Sequence, residues 1–265
     1  MPQQQPDSAG KTPQGLSALA ARQPRRTAAA VLAISLVAWG LLAWLALDMD
    51  HPVAQLMMPP SSSWSAASTL AIWCMWAVMM AAMMLPSALP MILVFAKLGR
   101  NGARPVRTRS FVAAYLMVWF IFSALASAAQ WALQALGWIN PMIVSTSAVL
   151  TGVLLLVAGL YQFSRLKRIC LAHCRTPMGF LLGEWRAGVS GAFVMGLCHG
   201  LSCMGCCWAL MALLFVGGAM NLAWIAALSI AVAIEKLAPG GPWLATALGL
   251  GLMAAGLLRL LDLMI

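Results

Sequence analysis

Residues 198 to 207 read CHGLSCMGCC, placing four cysteines and a histidine inside an apolar run. Thiols and imidazoles are costly in hydrocarbon unless something uses them. On a helix, His199, Cys203 and Cys206 or Cys207 recur at i, i+4 and i+7 or i+8, so they share one face. Met195 and Met211 extend that face by a turn at either end, and Cys198 stands beside it. Such a column of soft donors points to a soft metal ion, Cu(I) before any other. Cysteine is also an ordinary small buried hydrophobe, a reading that suits a lone residue such as Cys74. It suits four cysteines beside a histidine poorly.

Two further constellations carry soft donors. Residues 73 to 85 read WCMWAVMMAAMML, in which Met75, Met79 and Met83 lie at i, i+4 and i+8, flanked by Met80 and Met84. Thioethers suit Cu(I), although methionine is equally a gap-filler in apolar helices. Cys170 and Cys174, with His173 between them, have a spacing that a helical turn turns into a ligand pair. Electrostatics limits the ion. Cu⁺ with one thiolate and neutral donors is close to neutral, as is Zn²⁺ with two thiolates. The thioethers favour copper, with zinc or another thiophilic ion left open.

The elements that must position these residues are membrane helices. Of 265 residues, 63% are hydrophobic and 8% charged, and mean hydropathy is +0.90, against about 25% charged residues in a soluble domain. The net charge of +10 does not indicate a nucleic-acid binder, because the cations cluster between apolar spans. All but two of the 16 lysines and arginines fall in three groups: residues 11–26, 97–109 and 165–186. That asymmetry predicts those loops, and the amino terminus, on the cytoplasmic side. The cysteines then lie in spans or in a reducing loop, so no disulfide framework is expected.

The pattern predicts an all-α, polytopic transmembrane bundle of about seven spans, amino terminus in and carboxyl terminus out. Residues 1–24 read as a disordered cytoplasmic tail, and 25–265 as the membrane domain. The spans fall at about 27–47, 68–95 (broken near its inner end by Pro86 and Pro90), 111–133, 145–163, 188–215, the segment ending at Lys236, and 242–263. Residues 165–186 read as a cytoplasmic loop. Gly188, Ala192, Gly196 and Gly200 form a small-residue seam for a neighbouring helix. Counting from Gly188 at 1.5 Å per residue puts Cys203 roughly 22 Å along its helix, in the outer half of the membrane. Glu235 is expected to snorkel and pair with Lys236 or another base, Asn221 to cap a helix, and His51 with Asp50 offers an outer release point.

The segments WCMWAVMMAAMMLPS (73–87), KRICLAHCRTPMGF (167–180), GLCHGLSCMGCCWALMALLFVGGAMNLAW (196–224) and EKLAPGG (235–241) resemble a bacterial family of predicted metal-binding integral membrane proteins. The family was formerly a domain of unknown function and includes a copper chaperone encoded beside a bacterial tyrosinase. The resemblance covers about 68–241. It implies a multi-pass protein of the bacterial cytoplasmic membrane that handles copper for a partner cuproenzyme or copper carrier. The family's marks fall here on Met79, Met80, Met83, Met84, Cys170, Cys174, Cys203, Cys206 and Cys207.

The expectation is a non-enzymatic Cu(I) chaperone or transporter that matures a cuproenzyme. A membrane thiol–disulfide oxidoreductase using Cys203 and Cys206, and a noncatalytic assembly factor, are the alternatives. No nucleotide-binding loop is visible, so ATP-driven pumping is not expected.

Overall fold

The structure, a computed structural model, describes residues 14–60, 63–98 and 105–262. Eleven helices follow in order: α1 (Gln14–Leu47), α2 (Pro52–Met57), α3 (Ala66–Leu98), α4 (Pro105–Ala135), α5 (Ala148–Gln162), α6 (Arg165–Arg175), α7 (Pro177–Gly183), α8 (Gly188–Ala212), α9 (Leu214–Gly217), α10 (Leu222–Leu237) and α11 (Gly241–Leu261). Among the described residues the extended structure is a single bridge, Ile139 with Ser145. The expected tail lies outside these residues up to 13; α1 already begins at Gln14, while its apolar, membrane-length part is Pro24–Leu47.

All seven expected spans are helical, but they are not alike. Among the described residues five helices are long and apolar enough to cross a membrane, and six segments qualify if α5 and α6, bent by 63° at their junction, count as one. At 15 and 16 residues, α5 and α10 measure about 23 and 24 Å, short of a hydrocarbon core of about 30 Å. The supposed cytoplasmic loop is instead two helices, α6 and α7. Ser164 starts α6 by accepting from the Lys167 N–H at 3.0 Å, and Asn221 starts α10 by accepting from Trp224 at 3.2 Å. Asn221 thus caps as expected. His51 also caps, its Nδ1 accepting from the Val53 N–H at the start of α2.

The expected break at Pro86 and Pro90 does not occur, because α3 runs through both. Proline at 86 frees the carbonyl four residues earlier. That Ala82 carbonyl accepts instead from Ser35 Oγ at 3.0 Å and Trp39 Nε1 at 3.2 Å on α1. A helix in lipid tolerates proline when neighbours re-satisfy the freed group in this way.

The core is the sandwich of α3, α4 and α8. The small-residue seam works as expected at two positions. A Cβ on Gly196 would come within 2.9 Å of Ala114 Cβ, and one on Gly200 within 2.8 Å of Val118 Cγ2. Bare backbone therefore lets α8 lie directly on α4. A second close pairing was not foreseen: a Cβ on Gly159 of α5 would sit 2.8 Å from the Gly249 carbonyl of α11. At the basic end, Arg107 Nε donates to the Gly188 carbonyl at 3.1 Å, tying α4 to the start of α8.

Candidate functional site

The face of α8 that periodicity singles out is buried. Cys203, Cys206 and Cys207 are each 1% exposed and His199 2%. Cys206 and Cys207 both donate to the Cys203 carbonyl at 3.0 Å, which fixes their rotamers along the helix. Cys203 Sγ is the centre of the arrangement. The Tyr115 hydroxyl of α4 lies 3.1 Å from it, and Lys236 Nζ of α10 donates to it at 3.0 Å. The same ammonium donates to Ser87 Oγ at 3.2 Å and reaches Met84 Sδ at 4.0 Å. Met84 Sδ in turn lies 3.9 Å from Cys207 Sγ.

Helix α6 brings the fourth thiol. Cys174 interacts with both Cys203 and Cys206. Cys170 packs its sulfur over Gly205, where a Cβ would come within 2.7 Å. Both α6 cysteines are half-buried, so the group runs from a partly accessible rim into a closed interior. The other tyrosine of the chain, Tyr161, also ends here, donating to the Gly205 carbonyl.

A buried ion pair docks α6. Lys167 Nζ meets Glu235 Oε2 at 2.7 Å, both side chains 2% exposed, and Arg175 donates to the Glu235 and Pro239 carbonyls. Glu235 therefore does not snorkel. Its base is Lys167, which leaves the neighbouring Lys236 to the thiols.

Each predicted ligand can now be placed. Cys174, Cys203, Cys206, Cys207 and Met84 are brought together. Met79, Met80 and Met83 are fully buried in α3, and Met84 is the member of that stripe whose sulfur meets a thiol. Cys198 is half-buried on another face of α8. His199 sits one turn from Cys203 in an aromatic box, its ring 5.5 Å from Tyr115, 5.9 Å from Phe111 and 5.8 Å from Phe180. Neither of its nitrogens has a hydrogen-bond partner among the described residues, so the imidazole keeps its lone pair for a ligand. Among the described residues, no three His, Cys, Asp or Glu side chains are gathered as a ready cage. Soft donors facing one ammonium suit a monovalent soft cation as cargo.

Two neighbouring helices reach the thiol layer with their ends. Tyr161 and Lys236 lie one residue from the ends of α5 and α10, and both touch the thiol layer. Measured from the opposite ends of those helices, the layer is about 20 to 22 Å deep.

Sequence reasoning missed Tyr115 and Ser87 as parts of this site, and left the base of Glu235 open between Lys236 and another. The available signal was scarcity: the chain has two tyrosines, and both lie in apolar helices.

A family model described as a copper chaperone, PpoB2, matches residues 73–259. The match starts within α3 and runs past the expected limit at 241 to include α11. No curated protein and no solved structure matches the chain.

Proposed function

From the premise that the chain belongs to the PpoB2 copper chaperone family, we propose that it carries Cu(I) on the thiols between α6 and α8 and delivers it to a partner cuproenzyme or copper carrier. The observation that carries this reading is the meeting of Cys174 with Cys203 and Cys206 across two helices. Thiolate is the donor type that selects Cu(I). Two thiolates on Cu⁺ leave one negative charge, and the Lys236 ammonium beside Cys203 neutralises it where hydrocarbon would not tolerate it. Met84 and His199 are the neutral donors that complete the coordination as the ion moves.

The route follows exposure. Cu(I) enters at the half-buried Cys170 and Cys174, settles on Cys203 and Cys206, and leaves by Cys207 and Met84 further along α8 and α3. The protein is non-catalytic and sits in the bacterial cytoplasmic membrane with α6 on the cytoplasmic side. Copper titration of the purified, reduced protein tests the core of this. About one Cu(I) per chain is expected, and Cys203→Ser with Cys206→Ser abolishes it while membrane insertion persists. Unchanged stoichiometry in that double variant sinks the assignment.

A further inference from the structure

A cleft of about 650 Å³ lies between α1 and α4 and shares no residue with the thiol site. Its wall is apolar, with Val31, Ile34, Val112 and Leu116 along it, and Arg26 and Arg109 stand at one end. Thr108 also lines it; the residue is 5% exposed, and its hydroxyl has no hydrogen-bond partner among the described residues. A buried hydroxyl without a partner is unusual enough to call for a ligand.

The three features ask for different chemistry from one occupant. The trough opens along two helices of membrane length, so hydrocarbon fills it. Two exposed guanidiniums at its end favour a phosphate, which they bind with charge-assisted hydrogen bonds. Thr108, which lines the cleft with an unpartnered hydroxyl, has a donor to offer an ester or phosphate oxygen. We propose that the cleft between α1 and α4 is a binding site for an anionic phospholipid, its headgroup on Arg26 and Arg109 and an acyl chain against Val31 and Val112. A lipid there wedges α1, which leans on α3, against the start of α4. The net charge of the cleft end excludes preference for a zwitterionic headgroup, whose ammonium offsets its phosphate.

The test uses the full-length, delipidated protein in detergent, with binding read by native mass spectrometry. Phosphatidylglycerol is expected to bind about tenfold tighter than phosphatidylcholine, the scale set by cations close to an anionic headgroup. Arg26→Gln with Arg109→Gln brings that ratio to about one and leaves copper stoichiometry unchanged. Val112→Trp fills the trough, keeps both arginines, and removes binding of either lipid, which covers the case of a double variant that does not fold. Equal affinity for the two lipids in the wild type overturns the proposal, as does a preference that survives both sets of substitutions. Displacement of phosphatidylglycerol by millimolar inorganic phosphate makes the ligand a soluble anion and overturns the lipid assignment.

Discussion

Lys236 is the residue on which the electrostatics of the site turns. A primary ammonium 5% exposed is expensive in a membrane unless anions or polar atoms surround it. Here it is held by Cys203 and Ser87, so losing it leaves a loaded two-thiolate site with uncompensated charge. Lys236→Met is expected to weaken Cu(I) retention at least about tenfold, since 1.4 kcal/mol already amounts to that factor; competition with a Cu(I) chelator measures it. The methionines separate in the same assay. Met84→Leu lowers affinity a few-fold because its sulfur faces the site. Met79→Leu, a volume-conserving change in a fully buried position, leaves it unchanged. Equal effects at 79 and 84 would argue for a conducting methionine stripe instead. The thiols of α8 were legible because their spacing lies within one helix. Tyr115, Ser87 and Lys236 were not, since four helices had to converge before their proximity existed.

At the scale of elements, the Lys167–Glu235 pair ties α6 to α10 beside its apolar packing on α8. Removing one partner of a buried pair typically costs about 3–5 kcal/mol, while replacing both is far milder. Lys167→Met should therefore release α6, making Cys174 react faster with a maleimide and lowering copper binding. Combining Lys167→Met with Glu235→Leu should recover most of the thermal stability, as a melting series would record. Gly200→Leu attacks a different contact: its side chain meets Val118 at once, separating α8 from α4 and moving Cys203 away from Tyr115. Long apolar runs made all seven expected helical segments legible. Helix α6 was hidden because its cations read as a solvated loop, and only a partner carboxylate on α10 makes sense of burying Lys167. The α5–α11 pairing was hidden because its glycines are seven residues apart, Gly152 with Gly159 and Gly249 with Gly256, and no short motif marks them.

For the whole molecule, the two short helices set the shape. Both α5 and α10 end at the thiol layer, so the sulfur cluster sits where four helices and two helix ends meet. Reporter fusions at Gly137 and Met178 are expected to read outside and inside, respectively, and one at Ile265 outside. An inside reading at Ile265 would mean that α10 does not cross. Deleting the gene should lower the activity of a cuproenzyme, added copper should partly restore it, and general copper tolerance should stay near normal. A strain that is merely copper-sensitive, with its cuproenzymes active, favours efflux. The bridge from α1 to the Ala82 carbonyl has a practical corollary. The family match begins at residue 73, inside α3, whereas Ser35 and Trp39 lie well before it. A protein trimmed to the family limits would strip two donors from a carbonyl that proline has already deprived of its helical partner. An unsatisfied buried acceptor costs about 1–3 kcal/mol. A piece cut to those limits is therefore expected to be less stable than one that keeps α1.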